Sequence, residues 1–379
     1  MPIYKVDGIK KDGLQKYNVR INYISDSGKP KQLTRTAYGL EAAKDLERKL
    51  TEEQKQTGGS TKKKMTFQQL FDEFTTAKQY EVRESTLDKY NRDSIHYLPT
   101  FKDTRIDKLT VAMIQEWKLS MEQKGLSLKT KQNVFGEIRA ILNYALKMEY
   151  IAKNPLTTLG NFKSATIIKE EMKFYTAQEF KQFISAAERA AKAKKEKYRD
   201  LSEWDFYTFF CIAFYTGLRK GEIHALKWSD INGSYLSVRR SIRQRIKGGD
   251  RETPPKNNSS MRTLQMPLPL ILALGEHKKR QARLKGFSED YRVCGGKVCL
   301  RDATVQRRNE QYSKTAGLDT IRIHDFRHSH VSVLANEGIN IQEVARRLGH
   351  SRIEMTWNTY SHLYPREEER AVDILNKIA

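Results

Sequence analysis

The stretch from His324 to Tyr360 decides the fold, and it holds three short motifs. Residues 324–328 read His-Asp-Phe-Arg-His, residues 348–350 read Leu-Gly-His, and residues 358–362 read Asn-Thr-Tyr-Ser-His. His324 and Arg327 are three positions apart, so a helix would present both side chains on one face. This set indicates phosphate ligands with a nucleophile nearby, and no metal-ligand spacing explains it as well.

Arginine, histidine and tyrosine side chains together suit phosphoryl transfer without a metal ion. Guanidiniums hold the non-bridging oxygens and offset the charge that develops on phosphorus, while imidazoles supply hydrogen bonds and a base near neutral pH. A phenol, with an ordinary pKa of ~10, becomes a usable nucleophile when cations surround it and a base accepts its proton. A tyrosine ester of a DNA phosphate would keep the energy of the broken bond, so strands would be rejoined without ATP or another cofactor.

The composition indicates globular domains that bind a polyanion. The chain has 379 residues, of which 38% are hydrophobic and 30% are charged, which is typical of folded domains rather than disorder. Its net charge is +23 and its isoelectric point is near 9.7. Such an excess favours nucleic acid as the partner, although like charge can also serve solubility alone.

The cysteines and the apolar segments predict an intracellular protein. Cys211, Cys294 and Cys299 form no Cys-x-x-Cys pair, which fits a reducing cytoplasm without a zinc site or a disulfide framework. The N-terminus has no apolar signal core, and no window reaches the roughly 18 apolar residues of a membrane span. We therefore expect a cytoplasmic protein, associated with the nucleoid when it is bound to DNA, and no membrane partner.

The first 64 residues predict a small basic domain and a linker. Residues 1–56 contain three short β-type runs and one helix, with Arg20 among the polar positions that alternate with apolar ones. Residues 1–64 carry 15 Lys and Arg against 8 Asp and Glu, so the sheet is expected to bind DNA through its open face. A small sheet with a merely solvated face is the alternative. Residues 57–64 form a flexible linker that ends in three phosphate-attracting lysines: Lys62, Lys63 and Lys64.

Residues 65–155 predict a four-helix domain, which a second linker, residues 156–173, joins to a mixed α+β domain at 174–379. The last of the four helices, residues 127–149, carries Lys129, Lys131 and Arg139, which we interpret as DNA-backbone contacts. On residue type alone, a solvated face explains them equally well. The whole chain is thus expected to be multidomain and mainly α-helical, with one small N-terminal sheet.

The first half of the third domain supplies further cations. An apolar helix breaks at Thr216-Gly217, so Arg219 falls at a helix junction with Glu222 three residues on, where it can brace the guanidinium. Residues 235–243 predict one strand, with basic residues along and beyond its end: Arg239, Arg240 and Arg243. Residues 293–308 predict a strand-like piece followed by the start of a helix. Lys256 lies in a turn-rich hairpin tip, where an ammonium could donate a proton or simply contact phosphate or solvent.

Five strings resemble the tyrosine recombinase (phage integrase) family, and they occur in the order and at the intervals of that family. They are Thr216-Gly-Leu-Arg219-Lys-Gly-Glu222, Pro255-Lys256 and the three motifs between His324 and His362. The resemblance implies a tyrosine recombinase catalytic domain in which Tyr360 attacks the scissile phosphate. The products would be a 3′-phosphotyrosyl link and a free 5′-hydroxyl.

The same resemblance implies how the phosphate is held. Arg219 and Arg327 would bind its oxygens, Glu222 would brace Arg219, and His350 would be a further hydrogen-bond donor to the phosphate. No metal ion and no organic cofactor is part of this scheme.

The resemblance also implies two proton-transfer groups. Lys256 would be the acid for the leaving 5′-oxygen, and His324 would be the base. The lysine assignment stays open, because hairpin length varies within the family and Lys247 and Arg262 lie nearby.

The front half resembles three-domain integrases of temperate phages and conjugative transposons. This implies an arm-site-binding domain, a core-site-binding domain and a homotetramer on two DNA duplexes, with a host DNA-bending factor or an excisionase as further partners. It also implies that a last helix, residues 367–378, packs on a neighbouring protomer, although packing within its own chain would give the same apolar stripe. The alternatives are a type IB topoisomerase-like enzyme and an architectural DNA-binding protein without activity.

Overall fold

A computed structural model describes residues 3–24, 30–57, 65–164, 172–193, 202–244, 249–253 and 261–364, together with positions 372, 375 and 376. The chain divides into two compact units, residues 1–168 and residues 169–379. The predicted last helix, at residues 367–378, lies almost wholly outside the described residues.

The N-terminal part is a three-stranded antiparallel sheet with one helix on one face. Strands β1 (Ile3–Lys11), β2 (Leu14–Ile24) and β3 (Pro30–Tyr38) pair in the order β1-β2-β3, and helix α1 spans Leu40–Thr57. Asp12 and Gly13 both have positive φ, as a two-residue hairpin turn requires. Val19 is buried against α1, and Arg20, next along β2, is exposed on the opposite face. The predicted sheet and helix are confirmed.

Four helices build the rest of the first unit: α2 (Phe67–Lys78), α3 (Glu84–Tyr97), α4 (Val111–Gln123) and α5 (Leu128–Lys147). Thr66 caps α2 in a capping box with Gln69, and Thr110 caps α4 through the backbone N–H of Met113. The core contains the apolar faces of α2 and α5, and Phe162 also packs into it.

The second unit is mixed α+β, and the long helix α7 runs through its core. Its helices are α6 (Ala177–Ala193), α7 (Ser202–Thr216), α8 (Lys220–Ala225), α9 (Leu268–Ala282), α10 (Asp302–Ala316), α11 (Asp325–Asn336), α12 (Ile341–Leu348) and α13 (Ile353–Tyr360). Because α7 is apolar on every side, it is enclosed, and α6, α9 and α11 pack around it. Phe183, Phe210 and Phe326 meet at the centre of this core.

Two small sheets lie beside these helices. Strands β4 (Ile231–Asn232), β5 (Tyr235–Val238) and β8 (Arg262–Gln265) form one sheet, and β6 (Ser241–Arg243) pairs with β7 (Arg251–Thr253) in the other. The prediction of one strand over residues 235–243 is therefore wrong. The strand breaks at Arg239-Arg240, because Arg240 turns to the buried carboxylate of Asp230, with Nη2 and Oδ1 3.0 Å apart.

For residues 293–308, the predicted strand-like piece is wrong, and the predicted start of a helix after it is confirmed. Gly295 and Gly296 both have positive φ and form a tight turn, in which Arg292 bridges to Gly296, and a helix begins only at Asp302. Pro267 precedes α9, so β8 ends at Gln265. Within the described residues, no helix combines the length and the apolar character needed to cross a bilayer.

Candidate active site

The junction between α7 and α8 positions Arg219. Gly217 has a φ of +63°, and a Cβ at this position would come within 2.8 Å of the His330 ring, so only glycine fits here. Arg219 begins α8, and both its backbone N–H and its Nη1 donate to the carboxylate of Glu222, each at 3.0 Å. The guanidinium stays partly exposed, at 36%. The predicted contact between Glu222 and Arg219 is confirmed.

Arg262 is a second cation on Glu222, and sequence reasoning noted it only as a neighbour of Lys256. Its Nη2 donates to Glu222 Oε2 at 2.9 Å, and its Nε donates to the carbonyl oxygen of Arg347 at 2.6 Å. Burial would raise the pKa of the Glu222 carboxyl, but Arg262 and Arg219 outweigh that effect and hold the pKa below its usual range. Glu222 therefore stays ionised and orients two guanidiniums at once.

Arg327 connects three parts of the site. It lies in the first turn of α11, is only 3% exposed, and donates to the carbonyl oxygens of Gly217 at 2.8 Å and Leu348 at 2.9 Å. Its Nη2 also lies 2.8 Å from Nε2 of His350. Burial, followed by the charge of Arg219, lowers the pKa of Arg327 to about 9, so the group remains cationic at neutral pH.

His350 follows the end of α12. Gly349 ends that helix with a φ of +68°, which turns the chain toward Arg327. Nδ1 of His350 lies 2.7 Å from the Thr356 hydroxyl, so a proton on Nδ1 leaves Nε2 free to accept from Arg327. Burial and the charges of Arg327 and Arg219 lower the pKa of His350 to about 4.

Tyr360 is the last residue of α13 and is 2% exposed, packed against Val331, Val344 and Leu348. Burial raises the pKa of its phenol, although the charge of Arg327 and a hydrogen bond with it act in the opposite direction. The hydroxyl lies 2.8 Å from Nδ1 of His328. The tyrosine is therefore enclosed, close to one guanidinium and in direct contact with an imidazole.

His328 was missed by sequence reasoning, which used only the His-x-x-Arg part of its motif. It lies on α11 directly after Arg327, three residues beyond Asp325. The position carried a signal, because a histidine within a motif of phosphate ligands is itself a candidate. What the sequence did not reveal is that this ring, rather than that of His324, contacts Tyr360.

His324 precedes α11 and lies at the edge of the same cluster. Its ring is 5.3 Å from the ring of His328, edge to face. Burial, followed by the charge of Arg327, lowers its pKa below the usual value. The structure thus brings together Arg219, Glu222, His324, Arg327, His350 and Tyr360, all predicted from sequence, and adds Arg262 and His328 to them.

Other predicted residues fall outside this cluster or outside the described part of the chain. Lys256, Lys62, Lys63 and Lys64 are not among the described residues. Two predicted DNA contacts are enclosed by acidic partners: Lys131 by Glu122, and Arg240 by Asp230 and Glu252. The remaining ones are exposed: Arg20, Lys129, Arg139, Arg239 and Arg243. In the described residues, no three His, Cys, Asp or Glu side chains are grouped as metal ligands.

Comparison with known proteins agrees with this geometry. Residues 173–367, more than half of the chain, match the phage integrase family, and residues 66–164 match the phage integrase SAM-like domain. The chain belongs to the phage integrase family. It is a tyrosine-type site-specific DNA recombinase, and the family match favours this function over a topoisomerase or an inactive architectural protein.

Similar proteins include integrases of mobile elements. The ICEBs1 integrase of Bacillus subtilis (strain 168) is 30% identical over 292 residues, covering 75% of each chain. The tyrosine recombinase XerC-like protein of Caldanaerobacter subterraneus subsp. tengcongensis is 29% identical over 318 residues, covering 75% of this chain and 76% of that protein.

Two solved structures are similar in fold. The Tn1549 transposon integrase, in complex with transposon right end DNA, has a TM-score of 0.63 at 23% identity, covering 83% of this chain and 100% of that chain. A lambda integrase dimer bound to a core site has a TM-score of 0.57 at 16% identity, covering 97% and 95%. The predicted mainly helical, tyrosine-recombinase-type fold is confirmed.

Proposed function

We propose that this recombinase cuts each DNA strand by attack of Tyr360 on the scissile phosphate and thereby integrates and excises a mobile element. The product would be a 3′-phosphotyrosyl link and a free 5′-hydroxyl. The observation that carries the proposal is the position of the Tyr360 hydroxyl, which is hydrogen-bonded to an imidazole and close to the charge of Arg327. A phenol with both a proton acceptor and a cation beside it has what a nucleophile requires.

Arg219 and Arg327 would bind the non-bridging oxygens of the phosphate. Arg219 donates to Glu222, and its side chain stays partly exposed. A group that binds a DNA phosphate needs such exposure. Arg327 is fixed by two backbone carbonyls, so its charge costs no reorganisation during the reaction. Arg262 supports Arg219 through Glu222. To add a hydrogen bond to the phosphate, His350 would carry its proton on Nε2 in place of the contact that Nε2 makes with Arg327.

The remaining roles concern protons. The leaving 5′-oxygen needs an acid, for which Lys256 is the candidate, and the phenol needs a base, for which the family resemblance points to His324. The phosphotyrosyl ester keeps the energy of the broken bond, so the free 5′-hydroxyl of the same or another strand can reverse the step without ATP.

The domain roles are proposals of the same kind. Residues 1–56 would bind arm sites, residues 65–155 would bind the core site, and residues 174–379 would carry the chemistry, with linkers at 57–64 and 156–173. A homotetramer on two duplexes, assisted by a host DNA-bending factor or an excisionase, would complete recombination. A solved structure of the lambda integrase is a tetramer bound to a Holliday junction, and its TM-score with this chain is 0.55 at 17% identity.

The test of this function uses a core-site duplex with a nick close to the scissile phosphate. After cleavage, the short fragment that carries the free 5′-hydroxyl diffuses away, so the strand cannot be rejoined. We expect the wild-type protein to accumulate a covalent protein–DNA adduct that survives denaturation. Proteolysis and mass spectrometry should place the nucleotide on the peptide that contains Tyr360. An adduct on another residue would contradict the assignment, and a complete lack of adduct would contradict the reaction.

Arm-site binding can be tested with Arg20→Ala. Arg20 is exposed on the sheet face opposite α1 and stacks over the Tyr4 ring at 4.8 Å. Loss of one phosphate or base contact should weaken binding to arm-site DNA by about 1 kcal/mol, roughly fivefold, with core-site cleavage unchanged. The matched control is Arg48→Ala, which removes an exposed arginine from α1. Equal affinities of the two variants in a titration would contradict binding through the open face.

A further inference from the structure

His328 makes a specific contact with the proposed nucleophile. Its Nδ1 lies 2.8 Å from the Tyr360 hydroxyl, and the two ring centroids are 5.4 Å apart. The histidine side chain is 12% exposed, and the tyrosine is 2% exposed. Because α11 holds one ring and the end of α13 holds the other, the contact is set by the packing of two helices.

The direction of this hydrogen bond depends on the tautomer of the imidazole. In the tautomer with its proton on Nε2, the phenol O–H donates to Nδ1. Nε2 lies 3.7 Å from Oδ1 of Asp325, whose side chain is 2% exposed and accepts hydrogen bonds from Arg322. The Tyr360 hydroxyl, the His328 imidazole and the Asp325 carboxylate thus lie in a row. This is the order found where a carboxylate orients the base that activates a nucleophile.

We propose that His328, rather than His324, takes the proton of Tyr360 when the tyrosine attacks DNA, and that Asp325 stabilises the imidazolium that forms. The inference rests on the proposed function, because it needs Tyr360 to be the nucleophile. Within the described part of the chain, His324 shows no hydrogen bond to Tyr360, and its ring faces that of His328. His324 then remains available for the phosphate.

The cutting step forms one bond to phosphorus, breaks another and moves two protons. The bond from Tyr360 Oη to phosphorus forms, the bond from phosphorus to the 5′-oxygen breaks, and the phenol proton moves to Nδ1 of His328. The leaving 5′-oxygen takes its proton from a separate acid, the ammonium of Lys256 in the proposed function. In rejoining, the 5′-hydroxyl attacks phosphorus and gives its proton to the conjugate base of that acid, while His328 returns its proton to the tyrosine oxygen.

The charges around His328 keep its ring unprotonated but, by themselves, make it a weak base. Burial, then His324, Arg322 and Arg327, lower its pKa to about 4, while Asp325 acts in the opposite direction. The ring is therefore neutral at pH 7 and able to accept. A bound DNA phosphate would add negative charge to the same cluster, which favours the imidazolium and strengthens the base at the moment it is needed.

The first experiment is His328→Asn on the full-length protein, with the nicked core-site substrate and single-turnover adduct rates between pH 6 and pH 9. Asparagine keeps an acceptor near the position of Nδ1 but cannot take a proton. We expect the wild-type rate to be flat with pH and the variant to be at least ~10²-fold slower at pH 7. Because hydroxide must then remove the proton, the variant's rate should rise about tenfold per pH unit. His324→Asn, run alongside, should lose rate without gaining this slope.

The second experiment is His328→Gly with added free imidazole, which guards against an asparagine variant that folds poorly. Imidazole should raise the adduct rate of this variant at least about tenfold, and it should not help Tyr360→Phe. An asparagine variant with the wild-type rate, or one that is slower at every pH by the same factor, would overturn the role of His328. So would a glycine variant that imidazole leaves unchanged. A wild-type protein without an adduct at Tyr360 would instead overturn the proposed function.

Discussion

Tyr360→Phe should bind core-site DNA with wild-type affinity and form no detectable covalent adduct. Phenylalanine fills the same enclosed position, where the ring is 2% exposed and packs against Val331 and Leu348. The change removes the attacking oxygen and one hydrogen bond to His328, so the free energy of unfolding should fall by only about 1 kcal/mol. Adduct formation on the nicked substrate and binding by gel shift are the two measurements.

Tyr364→Phe is the matched control for this prediction. Tyr364 is four residues further along, and its hydroxyl is buried without a hydrogen-bond partner among the described residues. Burial raises the pKa of this phenol. Losing an unsatisfied hydroxyl should leave stability unchanged or slightly increased, with the adduct formed at the wild-type rate. If Tyr360→Phe still formed an adduct, or Tyr364→Phe failed to, the nucleophile would be wrongly assigned.

The parts of the site that sequence predicted are those set by local backbone geometry. Gly217 has a positive φ, so the turn there requires glycine. This turn places Arg219 at the N-terminus of the next helix. Gly349 ends α12 and sets the place of His350 in the same way. The spacing of Arg219 and Glu222 is one helical turn, so their contact follows from the sequence alone.

The parts that sequence did not predict depend on contacts between distant segments. Arg262 reaches Glu222 across 40 positions, and His328 reaches Tyr360 across 32, so neither pair has a local pattern. The strand predicted over residues 235–243 fails for a similar reason. The local sequence favours a strand, but the Arg240 side chain pairs with the buried carboxylate of Asp230, and the strand ends there. A tertiary contact thus overrides the local β propensity.

Arg327 makes further contacts between distant segments, so its replacement should have a large effect. Its guanidinium donates to Gly217 at the end of α7 and to Leu348 at the end of α12, and it also contacts His350. One planar group therefore holds together the two turns that carry Arg219 and His350. A lysine ammonium carries its three N–H groups on one nitrogen, so it cannot span the two carbonyls that Nη1 and Nη2 of Arg327 reach and also bind a phosphate in a bidentate way.

Arg327→Lys should slow adduct formation by at least ~10²-fold while retaining most of the DNA affinity. The charge is kept, so attraction to the phosphate backbone persists, but the bidentate geometry is lost and at least one buried carbonyl is left unpaired. That unpaired carbonyl should cost about 1–3 kcal/mol of stability, visible as a lower melting temperature. Single-turnover adduct rates at saturating protein separate the chemical defect from any loss of binding.

Arg308→Lys distinguishes a chemical defect from general destabilisation. Arg308 is also mostly enclosed, at 18% exposure, and it pairs with Glu203 on α7 and lies over the Phe206 ring, away from the cluster around Tyr360. Its replacement should lower the melting temperature without slowing adduct formation at saturating protein. If both lysine variants lost stability alike and cleaved alike, Arg327 would only support the fold. A rate loss confined to Arg327→Lys would mean that its guanidinium acts on the phosphate as the strand is cut.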